Sequence, residues 1–113
     1  ATAGSELFRG AGDRWGVVDE VAPLGLMNEV SCGAAGVLAV GNGGLKLRWD
    51  RAAATWFDEQ LERPWDTDYH GALVAADGTL WAVGGNFQVP IDFGPRQGVV
   101  AFHGCPLPAS DLP

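Results

Sequence analysis

The chain has 113 residues, with fourteen acidic against seven basic side chains and a net charge of −7, a balance that opposes binding to phosphate backbones or anionic lipid and so argues against nucleic acid as a partner. No apolar run approaches the roughly 20 residues that cross a bilayer, so no membrane insertion is expected. One domain of this size can bury roughly 60 to 70% of its unfolded surface, and seventeen glycines interspersed with Asn and Asp point to short strands and tight turns rather than long helices.

The chain opens Ala-Thr-Ala-Gly-Ser without Met and reads as processed or as a piece of something longer, a cleaved signal peptide being one cause. Residues 1–5 are small and polar and are expected to be poorly ordered. Glu6 to Arg9 reads as a strand, Gly10 to Asp13 as a turn, and Trp15 to Glu20 as a second strand. After a connection through Pro23 and Gly25, Asn28 to Cys32 reads as a strand ended by the Gly33 to Gly36 turn.

Val37 to Asp50 is the most informative stretch. An apolar run to Val40, Asn42-Gly43 in a glycine-flanked turn, and then Leu45, Leu47 and Trp49 alternating with Lys46, Arg48 and Asp50 predict a β-hairpin. Its first strand is apolar at every position and is expected to be covered on both faces, while the second splits into one apolar and one charged face. Thr55 to Phe57 is a further short strand, and Asp58 to Asp68 reads as an acidic loop in which Pro64 closes the short run of helix formers at Leu61 to Arg63.

From Tyr69 onward the pattern repeats. Leu38-Ala39-Val40-Gly41 matches Trp81-Ala82-Val83-Gly84 at an offset of 43, which also carries Val30 onto Leu73 and Val37 onto Leu80. Upstream, an offset of 41 brings Trp56 onto Trp15 and Trp49 onto Phe8. Downstream, Trp49-Asp50 falls on Phe102-His103 at 53, so the later copy carries an insertion over Phe87 to Arg96 before its last strand, Gly98 to Phe102. Ala72 to Ala76 and Thr79 to Gly84 are joined by the tight turn Asp77-Gly78.

Four strands recurring every 40-odd residues are the pattern of a β-propeller blade. The fold class expected is therefore all-β, with about two and a half four-stranded antiparallel blades: the end of one blade at 6–22, a full blade at 26–60, a blade lacking its outer strand at 69–104, and a tail at 105–113. The stretches from Val37 to Asp50 and from Asp77 to Asn86 resemble the repeats of bacterial propellers related to photosystem II assembly factors and of sialidase-type repeat proteins. The resemblance covers most of residues 6–104 and implies fold rather than activity. The Asp-box of sialidases and the Gly-His of WD repeats are not met, so no catalytic or peptide-binding residue carries over from either family.

Chemistry-bearing residues are sparse. Ser5, Ser31 and Ser110 lie in no nucleophile pattern, and the two imidazoles, His70 and His103, occupy different positions in their repeats. Asp66, Asp68 and His70 alternate, and an extended backbone would put all three on one side, which makes them the best metal-ligand candidates. Five Trp raise the prospect of sugar-stacking platforms. Trp15, Trp56 and Trp81 align with repeat positions expected to pack between blades, leaving Trp65, in a loop beside Pro64, as the ligand candidate. Phe87 and Phe93, in the insertion, are the others. Cys32 and Cys105 predict one disulfide in an oxidising compartment, worth about 4 kcal/mol by loop closure, with an ordinary buried Cys as the alternative.

These readings favour a non-enzymatic propeller segment without cofactors, acting as a scaffold or protein-interaction surface in an exported (periplasmic or extracellular) bacterial protein or complex. A carbohydrate-binding, lectin-like propeller comes second, with glycan as the partner, and a part of a propeller enzyme whose catalytic residues lie on a missing chain comes third. The strands count to nine, which is not a whole number of blades. An open end would expose apolar faces around Leu73, Leu80 and Val83. Another polypeptide chain is therefore expected to supply the remaining blades, in preference to a homo-oligomer.

Overall fold

The computed structural model describes residues 1–19, 25–59, 67–86 and 96–104. These residues form an all-β structure of three antiparallel sheets. The first sheet holds β1 (Thr2–Ala3), β2 (Glu6–Ala11) and β3 (Arg14–Val17); the second holds β4 (Met27–Gly33), β5 (Gly36–Gly41), β6 (Lys46–Asp50) and β7 (Thr55–Asp58); the third holds β8 (Asp68–Val74), β9 (Leu80–Gly85) and β10 (Gly98–His103). In every sheet the strands lie side by side in chain order, as short, turn-rich connections dictate.

The middle sheet packs on both of its neighbours, and β5 is the reason. Successive side chains of a strand point to opposite faces. Ala39 enters a core with Leu7, Val18, Met27, Leu45 and Leu47, between the first and second sheets. Leu38 and Val40 enter a second core with Tyr69, Val74, Leu80 and Ala82, between the second and third. An all-apolar strand thus has both faces covered, and its neighbour β6 buries Leu47 on one side only.

The charged side of β6 meets the third sheet instead of open solvent. Lys46 Nζ stands 4.9 Å from the centroid of the Tyr69 ring, and Arg48 lies between Glu59 and Asp50, 2.6 and 3.0 Å away, with its guanidinium over Phe57. Partial burial works to lower the Arg48 pKa, but hydrogen bonds and charge from Glu59 and Asp50 outweigh it and hold the group above its ordinary value. Further polar bonds tie the sheets together. Asn28 Nδ2 donates to the Tyr69 carbonyl (2.8 Å), Val74 N–H donates to Ser31 Oγ (3.0 Å), and Gly43 N–H donates to Asp68 Oδ1 (2.9 Å). Met27 N–H reaches the Gly4 carbonyl from the second sheet to the first.

Several details depart from the sequence reading. Residues 1–5 are not loose, because Thr2 and Ala3 pair with Leu7 and Glu6 as an edge strand. The Asn42-Gly43 turn is longer than two residues: the last ladder pair is Val40 with Lys46, and Asn42–Gly44 makes a single 3-10 turn with Gly43 at φ +62°. Strand β8 begins at Asp68 inside the expected loop, and Tyr69 is the largest fully buried side chain among the described residues.

The repeat survives in register, with two slips. Leu38 and Trp81 are equivalent, as are Val40 and Val83, but the partner of Trp81 on β8 is Leu73, whereas the partner of Leu38 on β4 is Ser31 rather than Val30. The Asp77-Gly78 turn is one residue longer than the Gly33–Gly36 turn, and the ladder absorbs the difference. On the other side Phe102 stands opposite Trp81 as Arg48 stands opposite Leu38, one residue away from the alignment of Phe102 with Trp49. A slip of one residue exchanges the two faces of a strand, so these corrections decide what each sheet presents.

The recurrent glycine at the end of the strand has a steric cause. A Cβ on Gly41 would overlap the Leu26 carbonyl oxygen, and one on Gly84 would overlap that of Asp68. In both sheets the preceding strand crosses this point at an irregularity, between Met27 and Glu29 and between Tyr69 and Gly71, which brings its backbone close.

Candidate functional site

The outer face of the third sheet is built from alternate residues of its three strands. Leu73 on β8, Trp81 and Val83 on β9, and Val100 and Phe102 on β10 lie side by side, with Leu73, Trp81 and Phe102 in one cross-strand row and Val83 with Val100 in the next. The rings of Trp81 and Phe102 are tilted against each other with centroids 5.5 Å apart. No charged side chain interrupts these rows, and Leu73, Val83, Val100 and Phe102 are 54, 45, 62 and 49% exposed.

The equivalent face of the second sheet shows what is unusual here. By register it carries Ser31, Leu38, Val40, Lys46 and Arg48, and Leu38 and Val40 are 4 and 0% exposed because the third sheet covers them. Trp81 and Val83 occupy the same positions on a face that no described residue covers. The polar members have also been replaced, Ser31 by Leu73, Lys46 by Val100 and Arg48 by Phe102. Continuous apolar sheet faces of this kind are disfavoured at a water boundary. Leu80, expected on such a face with Leu73 and Val83, belongs instead to the buried core beneath it.

The individual candidates fare differently. Trp65, Phe87, Phe93, Asp66 and Cys105 lie outside the described residues. Asp68 accepts the Gly43 N–H, and Tyr69 beside it is buried. The irregularity between Tyr69 and Gly71 breaks the simple alternation on which the grouping of Asp66, Asp68 and His70 relied. Among the described residues no three His, Cys, Asp or Glu side chains converge as metal ligands. His70 is exposed near the start of β8 and His103 closes β10 beside Leu80, so the sheet holds them at opposite ends. His103 Nδ1 instead lies 3.8 Å from Glu59 of the second sheet.

Cys32 is exposed on β4 and has no disulfide partner among the described residues. Its side chain borders an aromatic cleft between the first and second sheets, along with Trp15, Trp49 and Trp56. Trp15 is not packed between sheets as its repeat position led one to expect; it is 58% exposed and stands over Gly10. Among the described residues no helix is long and apolar enough to cross a membrane. No protein-family model matches the chain, and neither a curated protein nor a solved structure is significantly similar to it.

Proposed function

We propose that the three sheets are consecutive blades of a β-propeller related to the bacterial assembly-factor and sialidase-type repeats, and that the chain is a non-catalytic scaffold or protein-interaction segment within an exported protein or complex. The observation that carries this reading is the apolar face of Leu73, Trp81, Val83, Val100 and Phe102, which no described residue covers. It repeats the geometry of a face that is buried one sheet earlier, so the occupant it fits is another sheet of the same kind. A partner sheet desolvating these five side chains would gain roughly 25 cal/mol for each Å² of apolar surface removed from water.

Size-exclusion chromatography with light scattering on the 113-residue chain, combined with denaturant unfolding, tests the reading. The expected result is an associating or weakly cooperative species whose association is abolished by Val100→Asp, a change on the outer face that leaves both cores intact. A cooperative monomer at its own mass that binds no apolar dye at that face would refute it.

A further inference from the structure

The space between the first and second sheets is a cleft of about 400 Å³, within the range of small-molecule sites. Its walls are mainly apolar. Trp49 and Trp56 form one side, with centroids 5.5 Å apart and planes inclined at 54°; β2 and β3 form the other, with Leu7 and Val18 facing the second sheet and Phe8 and Trp15 bordering the cleft from positions whose side chains alternate away from it. The polar groups that border it are unusual for so acidic a chain: Arg9 and Arg51 both line the cleft, and among the described residues no Asp or Glu does. Among the described residues neither guanidinium has a carboxylate partner; Arg51 donates to the Gly33 carbonyl at 3.1 Å. In addition, Trp56 Nε1 is buried and has no acceptor among the described residues. A buried indole N–H without a partner costs free energy of the order of a lost hydrogen bond, and such groups call for an explanation.

We propose that this cleft binds a small anionic aromatic ligand, such as a flat ring system bearing a carboxylate. The polar side chains there are nearly all donors: two guanidiniums, which cannot accept, and the N–H groups of the bordering indoles. A carboxylate is an acceptor only and complements them, with Arg providing charge-assisted bonds. The Trp49 and Trp56 indoles supply the faces on which a flat ring stacks. A neutral sugar fits less well, because each hydroxyl brings a proton that needs an acceptor and among the described residues no carboxylate or side-chain amide borders the cleft. This proposal is independent of the interaction surface on the third sheet, which lies on the far side of the second core.

The test uses the 113-residue chain labelled with ¹⁵N and three probes: 2-naphthoate, the neutral 2-naphthalenemethanol, and a neutral cello-oligosaccharide. The indole N–H signals of the Trp residues are resolved in proton–nitrogen correlation spectra, and Trp56→Phe identifies that of Trp56. The expected result is that 2-naphthoate shifts the Trp56 signal and binds at least tenfold more tightly than the alcohol. Arg9→Gln and Arg51→Gln, both at exposed positions, should each weaken naphthoate about tenfold, in line with a hydrogen bond to a charged group. The double variant should bind naphthoate and the alcohol alike. Equal binding of the two naphthalene probes to the unaltered chain would overturn the proposal. So would a shift confined to Trp81, which would put the probe on the third sheet, or a Trp56 shift produced by the oligosaccharide alone.

Discussion

Leu38 and Trp81 occupy the same position in successive sheets, and replacing each by Ala separates covered from uncovered surface. Leu38 is 4% exposed and packs among Val40, Tyr69, Leu80 and Ala82. Its truncation loses the transfer free energy of the side chain and leaves a cavity that a core shared by two rigid sheets closes poorly, so the expected cost is about 2–5 kcal/mol. Trp81 is the larger residue, and volume alone would make its loss the more severe. Yet its outer face has no described covering, and the main contact it forfeits is the tilted ring pair with Phe102, worth about 0.5–1.5 kcal/mol beyond area burial. The expected cost is therefore about 1–2 kcal/mol, smaller than for Leu38 despite the greater volume. Urea unfolding followed by far-ultraviolet circular dichroism at low protein concentration measures both, since fluorescence would itself change with the loss of Trp81. Against a total stability of about 5–15 kcal/mol for a domain of this size, the difference is readily resolved. A Trp81→Ala cost equal to or above that of Leu38→Ala would refute the account of the third sheet as an open face.

Further predictions concern how the sheets are joined and terminated. Ser31→Ala leaves the Val74 N–H without its acceptor and should cost about 1–3 kcal/mol, which thermal unfolding measures; Ser31→Thr, which keeps the hydroxyl, should recover much of it. Gly41→Ala and Gly84→Ala each drive a methyl group into a backbone carbonyl of the preceding strand and should each cost roughly 1–3 kcal/mol or more, whereas Gly43→Ala, whose added methyl meets no atom within 4 Å, should show only the smaller cost of a positive φ. Asp50 and Asp77 are both held below the ordinary carboxylate value, Asp50 by the Ala53 N–H and then Arg48, Asp77 by the backbone N–H and side chain of Thr79. Because their folded pKa values lie below the unfolded ones, their contribution is complete above about pH 4 and is lost as pH falls through the folded values. Asp77→Asn keeps an acceptor for the Thr79 N–H but cannot titrate, so its melting temperature should fall less steeply between pH 4 and pH 2 than that of the unaltered chain.

The succession of short strands, the position of most turns and the double-sided burial of Val37 to Val40 were legible in the residues themselves, because alternation and turn chemistry are local. Asp77 capping the Thr79 N–H is a bond between near neighbours, and the apolar run of β5 can be satisfied only between two layers. The recurrence of Trp81-Ala82-Val83-Gly84 likewise located the third sheet. What the tertiary structure decided is register. One extra residue in the Ala75–Thr79 turn and irregularities at Asn28 and His70 are invisible to an offset taken from the sequence, yet each exchanges inside for outside. For that reason Leu73 is exposed, whereas Val30, with which the sequence offset aligns it, packs against the first core. The aromatic cleft escaped the sequence for a related reason. Arg9, Arg51, Trp15 and Trp56 come from separate strands and turns, and nothing in their spacing announces that two sheets meet face to face and leave a gap between them.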